Sequence, residues 1–338
     1  MMKSQKLLQA MNDIDDVFLL EAEETLAQQK KPHKSPFKWF VIVLAILGLS
    51  SGAYAAIQWD SVFLAYFKPS VTLIEKLEGN VQNVDAVSDC ETLILKINQT
   101  IGDENTIYLN LEVSLPDGQT WQDVLPKELT EGETHLDIQP IYHFYNGEFQ
   151  YDDVKGLSES ELNVLFKGHK FGPSHSGGEW EAVDLKGNSA SYFIHYSTDR
   201  LSEGPVSLYI SNFTHGLDSV IDGPFIISWV PENSGTQYKF EIEDKNGTRG
   251  SVELSAFRIE VKLYNYEKAE EYERATQLGR DIIIHYKDGT TQKVSSMTNG
   301  IGGSRGKNYL EYHTHFRTIL DLDTVESVQV GPYICELE

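Results

Sequence analysis

Residues 91–118 read ETLILKINQTIGDENTIYLNLEVSLPDG. In ETLILKINQT (91–100) and NTIYLNLEVSL (105–115) apolar and polar residues alternate, the period of a half-buried antiparallel strand. Pro116, Asp117 and Gly118 then supply turn chemistry. The same texture recurs downstream in HLDIQPIYHF (135–144), ASYFIHYS (190–197), PVSLYISNF (205–213) and PFIISWV (224–230). It continues in SVELSAFRIEVKLYNY (251–266), RDIIIHY (280–286), YLEYHTHF (309–316) and VESVQVG (325–331). Asn146-Gly147, Lys186-Gly187-Asn188, Lys245-Asn246-Gly247 and Asp288-Gly289 punctuate these runs. Short strands with turns roughly every 8–12 residues predict a mainly β fold of two immunoglobulin-like β-sandwiches, not an α/β enzyme core. The expected domains are 70–248 and 249–338, divided near Gly247–Gly250. One helix is signalled inside them, by the capping box Ser158–Glu161 ahead of Leu162, Val164, Leu165 and Phe166. KAEEYERATQLG (268–279) is expected as a second helix or a long hairpin tip.

Upstream the texture changes. Residues 39–59, WFVIVLAILGLSSGAYAAIQW, hold no charge. A helix of that length is roughly 31 Å long, close to the ~30 Å apolar core of a bilayer. Lys30, Lys31, Lys34 and Lys38 crowd its N-terminal side, whereas Asp60 is the first charge beyond it. The positive-inside rule therefore predicts a single-pass anchor with residues 1–38 cytoplasmic and 60–338 outside, Trp39 and Trp59 lying at the two interfaces. Ala53-Tyr54-Ala55 allows the rival reading of a cleaved signal peptide, but the 38 residues before the run carry six acidic side chains, wrong for a signal n-region. Residues 60–69 are expected to be a short stalk.

Residues 4–29 predict one amphipathic helix. Leu7, Met11, Ile14 and Phe18 recur at steps of four and three and share a face, while Asp13, Asp15 and Asp16 lie on the other. Pro32 and Pro36 end it. An apolar stripe must be buried somewhere, and its acidic face suits a basic protein surface better than an anionic lipid one. Helix-in-groove docking onto a cytoplasmic protein is the expectation.

Composition bounds the partners. The chain of 338 residues has 28 basic and 51 acidic side chains, a formal charge of −23. Residues 1–38 hold six of each and cancel, so the outer part carries the whole excess. Such a surface repels nucleic acid. Cys90 and Cys335, the two cysteines, are too few for a disulfide scaffold or zinc site.

No motif carries chemistry. Tyr312-His313-Thr314-His315 sets two imidazoles at i and i+2 with no evident third ligand, though His285 or His195 could approach; edge-strand histidines are the simpler account. Residues 299–306, NGIGGSRG, lack the Lys-Ser/Thr of a phosphate loop and are expected to be a flexible hairpin tip. Residues 172–178, GPSHSGG, do not fit a nucleophile elbow and are expected to be a surface loop. Asp321, Asp323 and Glu326 lack the pattern of a calcium loop. No catalytic residue, cofactor or metal is assigned.

AMNDIDDVFLLEAEE (10–24), the single anchor and the 91–118 pattern together resemble the membrane proteins of domain-of-unknown-function family 4179 in Gram-positive bacteria. SVELSAFRIEVKLY onward is similar to the second β-domain that often follows in them. The resemblance implies an anti-sigma-factor-like regulator: the N-terminal helix faces a sigma factor and the outer domains sense an envelope signal from an unknown ligand. The alternative is an envelope structural or adhesive module, with a secreted-side hydrolase third.

Overall fold

The computed structural model describes residues 59–337 apart from 78–79, 172–173, 199–200, 202–203 and 233–234. The expected cytoplasmic helix, its basic flank and the apolar run up to residue 58 lie outside the described residues. Among the described residues no helix is long and apolar enough to cross a membrane.

The described chain is mainly β, and every pairing is antiparallel. The alternating stretch at 91–118 forms β2 (Ile94–Gly102) and β3 (Thr106–Ser114), with β1 (Val81–Asp89) along the outer side of β2. β8 (Ser189–Thr198) pairs the other side of β3, and β6 (Ser174–Trp180) closes a five-stranded sheet of order β1-β2-β3-β8-β6. A second sheet, order β10-β9-β5, contains β5 (Gln139–Asn146), β9 (Val206–His215) and β10 (Asp218–Trp229). Two short strands, β4 (His135–Leu136) and β7 (Val183–Asp184), pair with each other. Leu95, Ile97, Leu109, Leu111, Ile194 and Tyr196 from the first sheet share one core with Leu208, Ile210, Phe225 and Ile227 from the second. Alternation thus does what it predicts, turning one face of each strand onto that core.

The remaining strands, called the second domain below, repeat the plan around a core of their own. β11 (Gln237–Glu243), β12 (Arg249–Ser255), β13 (Arg258–Tyr264), β18 (Tyr309–Phe316) and β16 (Thr298–Gly302) follow one another across a sheet, with β17 (Arg305–Gly306) also on β18. Opposite lies β15-β14-β19-β20, from β14 (Ile282–Tyr286), β15 (Thr291–Lys293), β19 (Val325–Val330) and β20 (Tyr333–Glu336). Val252, Ile259, Val261, Ile284, Tyr312 and Val328 fill the core between them. The first of these strands, β11, precedes the division expected near Gly247–Gly250. Lys245-Asn246-Gly247 is the hairpin turn between β11 and β12, with Gly247 at φ +84°.

Several local expectations change. Residues 60–69 form no stalk: helix α1 (Ser61–Phe67) is capped by Asp60, whose side chain accepts from the Val62 amide, and Phe63 and Phe67 are buried on one face. α2 (Val71–Lys76) follows, capped by Ser70. Within the segment 172–178, expected as a surface loop, residues 174–178 lie in edge strand β6. A Cβ on Gly177 would come within 2.6 Å of the His195 ring, so that glycine permits close packing between strands, not flexibility. Residues 299–302 likewise lie in β16 and residues 305–306 in β17, and a Cβ on Gly302 would come within 1.9 Å of the His313 ring. Arg305 donates from its guanidinium to the carbonyls of Ala269, Glu270 and Glu273, pinning the 267–280 segment, which forms two 3-10 turns. The Ser158 capping box does start a helix, Glu159–Leu165, with the Ser158 amide donating to Glu161.

Candidate functional site

The outward faces of the two larger sheets, β1-β2-β3-β8-β6 and the six-stranded sheet that runs β11-β12-β13-β18-β16, meet in a seam, and α1 and α2 are packed into it. Trp59, expected at a lipid interface, is 4% exposed here, in one cluster with Phe63, Phe67, Leu73 and Ile74 from the helices. Ile101, Tyr108 and Phe193 of the first domain and Ala256, Phe257 and Ile319 of the second complete that cluster. Phe67 is its centre. Its ring lies edge-on to Tyr108 at 5.0 Å, to Phe193 at 5.9 Å and to Phe257 at 6.1 Å, so one side chain touches both domains. Tyr66 stacks on Phe193 at 4.0 Å. Such pairs add to the burial of aromatic area.

Polar clamps fix the helix pair at both ends. The Asp60 amide donates to Gln99 Oε1 at 2.6 Å, and Asn110 Nδ2 donates to Asp60 Oδ2 at 3.0 Å, tying α1 to β2 and β3. Lys76 Nζ meets Asp321 at 2.8 Å and Asp323 at 3.0 Å, tying α2 to the second domain. Those carboxylates, considered above for calcium, are therefore engaged by a lysine, and they hold the Lys76 ammonium above its usual range.

Beside the aromatic cluster the seam is polar. Asp103, in the β2–β3 turn, has no exposed surface; burial pushes its carboxyl up, while the nearby Arg258 guanidinium offsets part of that. Arg258 on β13 is itself paired with Glu260 at 3.1 Å and Glu253 at 3.3 Å. Asn105 donates across the seam to Gln237 Oε1 at 3.1 Å. Tyr108 passes a hydrogen bond from its hydroxyl to the Phe257 carbonyl at 3.4 Å, and burial raises its phenol well above the usual range.

The histidines meet here too. His195 on β8 and His315 on β18 approach with ring centroids 4.5 Å apart, one from each domain. His315 Nε2 lies 3.1 Å from Ser197 Oγ. That Ser–His contact has the spacing of a nucleophile and base, yet its members are 2% and 4% exposed, so in this closed arrangement no substrate reaches them. His285, considered as a third ligand, lies on β14 in the other sheet, 3.2 Å from Gln329 Oε1. Among the described residues no three His, Cys, Asp or Glu side chains are grouped to hold a metal. Cys90 and Cys335 are free, buried thiols in separate cores, each pushed up by burial.

Two cavities flank the helix pair. One of about 690 Å³ runs between α1 and the β6–β8 edge, lined by Tyr66, Trp180, Phe193, Glu179 and Asp184. A smaller one of about 240 Å³ lies under α2, against Tyr238, Leu320 and Asp321.

Of the expected site residues, Leu7, Met11, Asp13, Ile14, Asp15, Asp16, Phe18, Lys30, Lys31, Lys34, Lys38 and Trp39 lie outside the described residues. Phe67, Tyr108, Asp103 and Arg258 went unread in the sequence. A signal existed at Ile107-Tyr108-Leu109, where alternation fails and three apolar residues adjoin, as in a strand buried on both faces.

No family model matches the chain, and no curated protein does. Among solved structures, the crystal structure of the conserved domain protein from Bacillus anthracis is similar at a TM-score of 0.42 and 10% identity, over 75% of this chain and 77% of that chain. A likeness at that level carries no functional argument.

Proposed function

We propose that this chain is a single-pass membrane regulator, anti-sigma-factor-like and without enzymatic activity. Its cytoplasmic helix docks a protein partner, a sigma factor first among candidates. Its two outer domains are immunoglobulin-like β-sandwiches that respond to an envelope signal. The observation that supports this reading is the placing of α1 and α2. They follow the apolar run directly in sequence and are wedged between two domains instead of hanging free. A change in the seam is therefore felt where the chain leaves the expected anchor, whereas an adhesive module needs only a tether there. The resemblance of residues 10–24 and 91–118 to family 4179 points the same way.

The test is affinity capture from cytoplasmic lysate on a peptide of residues 1–38, with an Ile14→Asp, Phe18→Asp peptide as control. One protein held by the native peptide alone is the expected result. Equal recovery on both peptides overturns docking through the apolar face.

A further inference from the structure

We propose that the His195–His315 contact is an acid-sensitive latch: protonation of both rings sets two like charges in the buried seam, parts the two domains and frees α1. The inference rests on the seam being the sensing element and names the stimulus it would sense, a fall in external pH.

The geometry is specific. His195 faces outward on β8 in register with Tyr108 on β3 and Gly177 on β6. Gly177 leaves its ring room to lie against the neighbouring strand. His315 faces outward on β18 in register with Arg258 on β13, a permanent cation already committed to Glu253 and Glu260. The two imidazoles close on each other at 4.5 Å, and Tyr108 stands within 6.0 Å of both. Further charged or titratable groups here are Asp103, beside Arg258, and, two register positions along β18, His313 opposite Glu260, which Lys262 also pairs at 2.6 Å. Two unit charges this close in a partly dehydrated site repel far more strongly than in water.

The sign follows from linkage. Burial lowers His195 from 6.5 to about 4, so the closed state disfavours its proton. Between those values the opened protein binds more protons than the closed one, and closure weakens as pH falls. The closed-to-open ratio drops up to about tenfold per unit, about 300-fold in all for this one group. Asp103 acts in the opposite sense: its carboxyl is raised in the closed state, so acid favours closure there. Replacing both histidines therefore leaves a profile that is flat or inverted.

Hydroxyl-radical footprinting of the full chain in detergent reads side-chain exposure directly. From pH 7 to 4.5 labelling of Phe67, Tyr108 and Phe257 is expected to rise about tenfold or more, while the core residues Tyr192, Phe213 and Phe316 stay protected. The His195→Gln, His315→Gln protein is expected to show no such rise. Unchanged seam labelling in the wild type overturns the latch. So does the same rise in the double variant, or simultaneous loss of protection in seam and cores. If the double variant does not fold, the wild-type profile decides alone. None of these readouts involves the cytoplasmic partner, so failure of the latch and failure of the regulatory reading are separable.

Discussion

The core of the first β-domain and the seam that joins it to the second are both well buried, but they are made of different material. The core holds aliphatic and aromatic side chains, and the groups around Leu111, Ile194 and Leu208 have no exposed surface. The seam mixes Phe67, Tyr108 and Phe257 with a buried carboxyl, a guanidinium and two imidazoles. A dry apolar core has one good arrangement and resists change. A polar seam is held only while its charges keep their partners, since an orphaned buried charge costs far more than an exposed one. The core therefore sets whether this protein folds, and the seam sets which arrangement its domains take.

The sharpest way to break that contrast is to truncate one side chain in each. Leu111→Ala in the core is expected to cost about 2–5 kcal/mol and to lower the whole unfolding transition in urea. Phe67→Ala removes a buried side chain at a comparable cost, about 3–5 kcal/mol for full loss, but the loss should be local. Proteolysis should cut near α1 while the main urea transition shifts by less than for Leu111→Ala. A shift as large would mean that the helix pair is part of the core.

A matched glycine pair comes next. Gly302→Ala drives a methyl into the His313 ring and should cost about 1–3 kcal/mol as overpacking. Gly306→Ala, whose nearest neighbour would be 3.5 Å away, should leave the melting temperature within about a degree or two. Equal effects would return the segment to the flexible tip expected from its composition. The smallest change is Asp60→Ala, which removes a helix cap and the contact with Asn110, at about 1 kcal/mol. Amide exchange confined to residues 61–67 is the measurement.

What the sequence made legible follows the same division. Strands with one wet and one dry face carry period two in plain view, so β2, β3, β8, β9, β13 and β18 could be read from residues, as could the Ser158 cap. Glycine misled where it served packing: Gly177 and Gly302 look like punctuation, and only the rings lying over them explain their absent side chains. Lys245-Asn246-Gly247 reads as a turn, and the division expected near Gly247–Gly250 falls beside it because turns and domain boundaries use the same residue types; the pairing of β11 with β12 shows the hairpin turn itself. The seam was illegible for a deeper reason. Its members are single residues on outward faces, drawn from sequence-distant strands, and no local period links His195 to His315 or Phe67 to Phe257. Residues 4–29 read clearly as an amphipathic pattern, yet that pattern names no partner.

The wedge of α1 between the domains also bears on how the protein is made. Ribosomes deliver the chain from its N-terminus, and domains close in the order they emerge. The first β-domain has all its strands once Trp229 is out, but Phe257 and Ile319 come much later. Until then Phe63 and Phe67 have only half a berth, and a greasy helix waits exposed through the synthesis of a whole second domain. A chaperone that shields such a segment would be needed most in that interval. A chain truncated after Trp229 should therefore associate with itself more readily than the full protein does.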